Sequence, residues 1–250
     1  MTLRAVLCLV AVSFVGSILG ACGGSSSTQQ KANSGPTGLA QLSGTFAFSA
    51  NGTDPADGDY FVAGSITADG KGGVTGIEDL NLGSGVDSNV PFTGTYQIDS
   101  SNNVLVTLSD GTGTPTIVTF PVPSASSSVK VTYNGTATGT LQTQASTAFS
   151  NSGSFNFTLN GEGQATVMAS GSFTLGAGGA IAKGSEQYQD GTFSRNTSSL
   201  TGVVGPAFSQ GRGTAVIGSN LFSYYVVSAN QIILAGLEDS TLLYGTASKQ

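Results

Sequence analysis

Hydrophobic and polar residues alternate along most of this chain, with a period of two positions. In segment 92–98, Phe92, Tyr96 and Ile98 fall on one face, and two threonines and a glutamine fall on the other. Segments 104–108 and 129–133 repeat the pattern. This period is typical of β-strands that bury one face. The pattern therefore predicts antiparallel sheets.

Dipeptides that favour tight turns separate these runs. Each consists of Asn or Asp followed by Gly, at positions 51–52, 69–70, 110–111, 134–135, 160–161 and 190–191. Such pairs adopt the left-handed backbone of two-residue hairpin turns with little strain. The spacing of the runs indicates about eight strands in each half of the chain. The short connections favour hairpins in sequence order.

The second half of the chain repeats the first. SGTFAFSANG at 43–52 matches SGSFNFTLNG at 152–161, and the pairs Gly44/Gly153 and Gly94/Gly202 keep nearly the same spacing. Glycine inside strands is useful where a sheet coils tightly. We therefore predict an all-β fold made of two tandem antiparallel up-and-down β-barrels, at 40–146 and 147–250.

An uncharged run at 5–19 precedes these units. As a helix it would span roughly 22 Å, which is short for a hydrocarbon core of about 30 Å but suits a signal peptide. The following Leu19-Gly20-Ala21-Cys22 resembles the bacterial lipobox. The resemblance implies that residues 1–21 are removed and that Cys22 carries a covalent lipid. Residues 22–39, rich in Gly and Ser, then form a flexible tether.

The composition of the mature chain excludes several kinds of catalytic centre and binding partner. Cys8 lies in the signal segment, so Cys22 has no thiol to pair with, and histidine is absent. A Ser–His–Asp or Cys–His centre is therefore excluded. The net charge is −6 and the eight cations are scattered, which argues against nucleic acid as a partner. No cofactor is expected besides the lipid on Cys22.

The mature chain resembles uncharacterised β-rich bacterial lipoproteins, with the glycine-rich GTF, GSI and TGTY texture of lipocalin- and avidin-type barrels. This resemblance carries no active residues. We expect a lipid-anchored cell-envelope protein, at the outer membrane in preference to the inner, that faces the periplasm or the exterior. The expected role is binding or structural and is not enzymatic.

Two acidic residues occupy equivalent places in the two repeats. Glu78 and Glu186 are each predicted to follow a strand, and Asp79 or Asp190 is a candidate partner. Carboxylates about 5 to 10 Å apart could hydrolyse glycosides, which makes a carbohydrate-active enzyme the alternative function. The other interpretation is a turn or strand-end carboxylate that accepts backbone N–H bonds.

The loop DPADGDY at 54–60 contains three acids that the second repeat lacks. Asp54, Asp57 and Asp59 are a weak candidate set for Ca²⁺, which prefers several oxygen ligands on a flexible loop. The spacing differs from that of an EF-hand, so an ordinary solvated hairpin loop is the alternative.

Aromatic residues at a period of two are predicted to point into the units. They are Phe46, Phe48, Phe155 and Phe157, together with Tyr225 beside Val227. They either form a packed core or line a cavity for a small apolar ligand or a sugar. A single sixteen-stranded membrane pore is a further alternative, which the short strands and the missing aromatic girdles disfavour.

Overall fold

A computed structural model describes residues 38–56, 58–82, 84–111, 113–124, 128–150, 152–162, 165–238 and 241–250. The predicted signal peptide, Cys22 and most of the tether lie outside these residues, as does Asp57. Within the described ranges, no helix combines the length and the apolar character that crossing a membrane requires.

The first unit is a closed antiparallel barrel. Its strands follow one another in sequence order, and β8 pairs with β1 to complete the ring. The strands are β1 (Ser43–Asp54), β2 (Gly58–Asp69), β3 (Gly73–Asn81), β4 (Val86–Ile98), β5 (Asn103–Ser109), β6 (Thr116–Pro121), β7 (Val129–Tyr133) and β8 (Ala137–Thr143).

The second unit is a curled nine-stranded sheet. The strands are β9 (Gly153–Glu162), β10 (Thr166–Leu175), β11 (Ile181–Asp190), β12 (Phe193–Thr197), β13 (Gly202–Val204), β14 (Arg212–Ile217), β15 (Asn220–Ser228), β16 (Gln231–Gly236) and β17 (Leu242–Lys249). Here β17 pairs with β9, and the sheet edges are β12 and β13. The all-β prediction of two barrel-like units is confirmed, although the second ring is not fully hydrogen-bonded.

The gap in the second ring lies beside β11. Strand β12 pairs only with the later half of β11, from Glu186 onward. Ala180, just before β11, forms an isolated bridge with Val203 on the opposite edge strand, and Leu200 N–H donates to the Gly184 carbonyl at 3.0 Å. The two edges of the sheet therefore touch near the start of β11.

Two of the predicted turns are wrong. Asn51 and Gly52 lie inside β1, and Asn160 and Gly161 lie inside β9. The glycines serve close strand packing instead, since a Cβ at Gly52 would lie 2.5 Å from the Ala137 Cα. The other four dipeptides do follow strand ends.

Each unit has its own core, and a third cluster joins them. The first core contains Phe46 and Phe48, and the second contains Phe155 and Phe157. The prediction that Tyr225 and Val227 point into the second unit is wrong. They belong to the third cluster, where the outer face of β15–β17 packs on the outer face of β1–β3.

Polar contacts accompany this interface between the units. Arg212 Nε donates to Asp79 Oδ2 at 2.8 Å, and Tyr225 Oη donates to the same oxygen at 2.5 Å. Asn81 Nδ2 donates to the Gly236 carbonyl at 3.0 Å, and the rings of Phe61 and Tyr244 stack with centroids 4.4 Å apart. The interface thus combines apolar packing with a buried ion pair.

Candidate functional site

A row of three residues crosses the first three strands of the first unit. Phe48 on β1 pairs with Gly64 on β2, which pairs with Glu78 on β3. A Cβ at Gly64 would lie 2.6 Å from the Phe48 ring. The glycine therefore makes room for the aromatic ring next to the carboxylate.

The second unit repeats this row. Phe157 on β9 pairs with Gly171 on β10, which pairs with Glu186 on β11. A Cβ at Gly171 would lie 2.8 Å from the Phe157 ring. The sequence repeat identified the two glutamates as equivalent. Both lie inside strands, so the strand-end interpretation is wrong.

Glu78 lies in the interior of the closed barrel and is 7% exposed. Tyr133 Oη donates to its Oε1 at 3.1 Å, and its Oε2 has no hydrogen-bond partner among the described residues. Burial raises the pKa of Glu78 to about 7, against the lowering effect of the Tyr133 hydrogen bond. This carboxyl group therefore titrates near neutral pH.

Glu186 is even more buried, at 2% exposed, but its partner reaches solvent. Arg195 Nη2 donates to Glu186 Oε2 at 2.9 Å, and the arginine side chain is 46% exposed. The guanidinium also lies over the Tyr188 ring, 5.3 Å from its centroid. Glu186 Oε1 accepts no hydrogen bond from the described residues.

The candidate acid pairs are not arranged to face one substrate. Glu78 and Asp79 are adjacent on β3, so their side chains point to opposite faces. Glu186 and Asp190 share a face of β11 but are four residues apart, which is about 13 Å along a strand. That separation exceeds the range for paired catalytic carboxylates.

Asp79 forms part of the interface between the two units, where it accepts hydrogen bonds from Arg212 and Tyr225. Burial raises its pKa, but hydrogen bonds from Arg212 and Tyr225 outweigh burial and hold the pKa below its usual value. The backbone N–H of Asn89 also donates to Oδ1, at 2.8 Å. Sequence reasoning missed this role because the partners lie far away along the chain.

The acidic loop joins β1 to β2. Ala56 N–H donates to Asp54 Oδ1 at 2.8 Å, and Thr53 Oγ1 donates to Asp59 Oδ1 at 2.6 Å. Asp57 lies outside the described residues. Within the described ranges, no group of three or more His, Cys, Asp or Glu residues could hold a metal ion.

The four phenylalanines predicted either to form a packed core or to line a cavity lie in the packed cores, and each is at most 5% exposed. An apolar pocket of about 320 Å³ lies elsewhere, at one end of the second unit. Phe149, Leu175, Val204 and Tyr224 contribute to its lining. Phe149 comes from the connection between the units, where no periodic pattern marks it.

The outer face of β9–β12 is polar and open to solvent. Two grooves of about 530 and 490 Å³ adjoin there and share Ser170, Gln187 and Asn196. We call this surface the polar strip; its exposed side chains are Asn156, Thr158, Asn160, Met168, Ser170, Ser185, Gln187, Gln189, Ser194 and Asn196. The sequence signal was an uncharged polar residue at every second position.

Comparisons with known proteins give little further guidance. No family model and no curated protein matches the chain. A candidate AttH protein from Nitrosomonas europaea aligns over 81% of this chain and 91% of its own, at 7% identity and a TM-score of 0.28. Kievitone hydratase from Nectria haematococca aligns over 84% and 91%, at 11% identity and a TM-score of 0.24. Similarity this weak carries no argument about function.

Proposed function

We propose that this chain is a lipid-anchored cell-envelope protein with a non-catalytic binding role, and that the polar strip is its binding surface. The binding role rests on the strip, because it is an exposed polar surface that holds two adjoining open grooves. The lipobox-like Leu19-Gly20-Ala21-Cys22 and the tether at 22–39 support anchoring.

The positions of the acidic residues support a non-catalytic role. Glu78 is enclosed in the first core, and Asp79 is ion-paired with Arg212. Glu186 and Asp190 are too far apart along β11 to act on one glycosidic bond. The carbohydrate-active alternative would therefore need an acid that works without a neighbouring carboxylate.

A second candidate function is the binding of a small apolar molecule in the pocket beside Phe149. Its volume of about 320 Å³ lies at the lower end of ligand pockets, and the rings of Phe149 and Tyr224, which both line it, pack together with centroids 6.1 Å apart. Native mass spectrometry of the purified protein tests this candidate. A bound mass that Phe149→Ala removes would support it.

Metabolic labelling with a palmitate analogue tests the anchor. We expect label on the wild-type protein and on Cys8→Ser, because Cys8 lies in the segment that is removed. Cys22→Ser should lose the label and leave the membrane fraction. Label that persists in Cys22→Ser would overturn the anchoring proposal.

A further inference from the structure

The two repeats use the same face in different ways. In each unit the outer face of the first three strands is formed by the residues next to the Phe–Gly–Glu row. In the first unit these residues are Ala47, Ala63 and Ile77, and they pack against the second unit. In the second unit the corresponding residues are Asn156, Ser170 and Ser185, which are exposed.

The polar strip is therefore not built to pack on another apolar sheet. It is also uncharged, although solvated strands commonly carry Lys or Glu. The one charged residue that lines either groove is Glu186, which is 2% exposed and ion-paired with Arg195. Among the described residues, the strip itself therefore presents no exposed charge; the nearest exposed cation on this face of β11 is Lys183, which lies beyond Ser185 at one end.

Amide and hydroxyl side chains both donate and accept hydrogen bonds. Gln187, Asn196 and Ser170 lie where the two grooves join, so one ligand could contact all three. Sugar hydroxyls are likewise both donors and acceptors. Met168, which is 49% exposed, adds an apolar surface suited to the C–H face of a sugar ring.

The shape of the strip favours an extended ligand. The two grooves run across four strands, which together span roughly 14 Å at the usual spacing between strands. Both grooves are open, and they have similar volumes of about 530 and 490 Å³. A single sugar would fill only part of this surface.

We propose that the polar strip binds a neutral, hydroxyl-rich polysaccharide. This inference rests on the proposed binding function and assigns its ligand class. The ligand lies across β9–β12 and exchanges hydrogen bonds with Gln187, Asn196 and Ser170, and Met168 contacts a ring face. Acidic polysaccharides are rejected because the strip has no exposed cation to compensate their charge.

Affinity gel electrophoresis of the full-length protein tests this inference. The gels contain dextran, mannan or laminarin as neutral probes and alginate or hyaluronate as acidic probes. We expect retardation by at least one neutral probe and by neither acidic probe. In the Gln187→Ala/Asn196→Ala variant the affinity should fall at least tenfold, and Gln187→Glu/Asn196→Asp should lose it as well.

Gln97→Ala/Thr138→Ala is the matched control, because both residues are exposed on strands of the first barrel. It should bind like the wild type. The inference is overturned if no neutral probe retards the protein, if the acidic probes bind better, or if the strip variant binds as the control does. Circular dichroism and the urea midpoint show whether the variants remain folded.

Failure of the polysaccharide inference can be distinguished from failure of the proposed function. If the wild type takes up no palmitate label, the anchoring proposal is wrong. The inference about polysaccharide binding is not affected by that result. Release of new reducing ends from a bound probe would show that the protein hydrolyses the polysaccharide. The proposed non-catalytic role would then be wrong, but the assigned ligand class would stand.

Discussion

Replacing Glu78 by Gln should make the protein more stable above neutral pH. Glu78 is buried in the first barrel, and its Oε2 has no hydrogen-bond partner among the described residues. The ionised carboxylate is therefore poorly compensated in the folded state. Gln keeps the shape of the side chain and removes the titration.

The magnitude follows from the difference in pKa. The pKa of Glu78 rises from 4.5 to about 7 on folding. The folded state therefore favours the protonated form, so the stability contributed by Glu78 is complete below about pH 4.5. It is lost as the pH rises through about 7. A difference of roughly 2.5 pKa units corresponds to about 3 kcal/mol in the free energy of unfolding.

Urea unfolding at pH 5, 6, 7 and 8 measures this effect. Relative to the wild type, Glu78→Gln should gain about 2.5 kcal/mol between pH 5 and pH 8, because part of the contribution of Glu78 is already lost at pH 5. Glu162→Gln is the control, since Glu162 is exposed at the end of β9. Its unfolding free energy should follow that of the wild type at every pH.

Parallel pH profiles for the wild type and Glu78→Gln would contradict this prediction. That result would mean that Glu78 titrates alike in the folded and unfolded states. Diverging profiles in which Glu78→Gln is less stable already at pH 5 would instead show that Gln packs poorly, with the linkage to protonation intact.

Three further variants test other parts of the structure. Tyr133→Phe removes the hydrogen bond that lowers the pKa of Glu78, so the midpoint of its titration by NMR should move above about 7. Asp79→Asn deprives the partly buried Arg212 of its carboxylate partner at the interface, so urea unfolding should show a loss of about 2 kcal/mol. Gly171→Ala forces a Cβ into the Ser185 carbonyl oxygen and to within 2.8 Å of the Phe157 ring, and should cost about 3 kcal/mol, measured in the same way.

The sequence predicted the fold class because local signals agree along the chain. Alternation at Phe92, Tyr96 and Ile98 marks a strand with one buried face, and the structure places Phe92 and Tyr96 in the first core. The duplication identified Glu78 and Glu186 as equivalents. These inferences need only neighbouring residues or the comparison of one repeat with the other.

The interface could not be predicted in the same way. Strand β15 is buried on both faces from Phe222 to Val227, so alternation does not show that Tyr225 faces the other unit. A continuous apolar run carries that signal only weakly. The Asp79–Arg212 ion pair joins residues that are brought together only when both units are folded and docked.

The pairing of β8 with β1 has a consequence for how this protein arose. It places the two ends of the first unit side by side, and the pairing of β17 with β9 does the same in the second. A unit whose two ends adjoin can be duplicated in tandem with only a short connection, such as residues 144–152. The strand order within each unit does not have to change. Gene duplication could therefore lengthen this protein by whole units. The replacement of Ala47, Ala63 and Ile77 by polar counterparts in the second copy removes the apolar surface on which a third unit would dock.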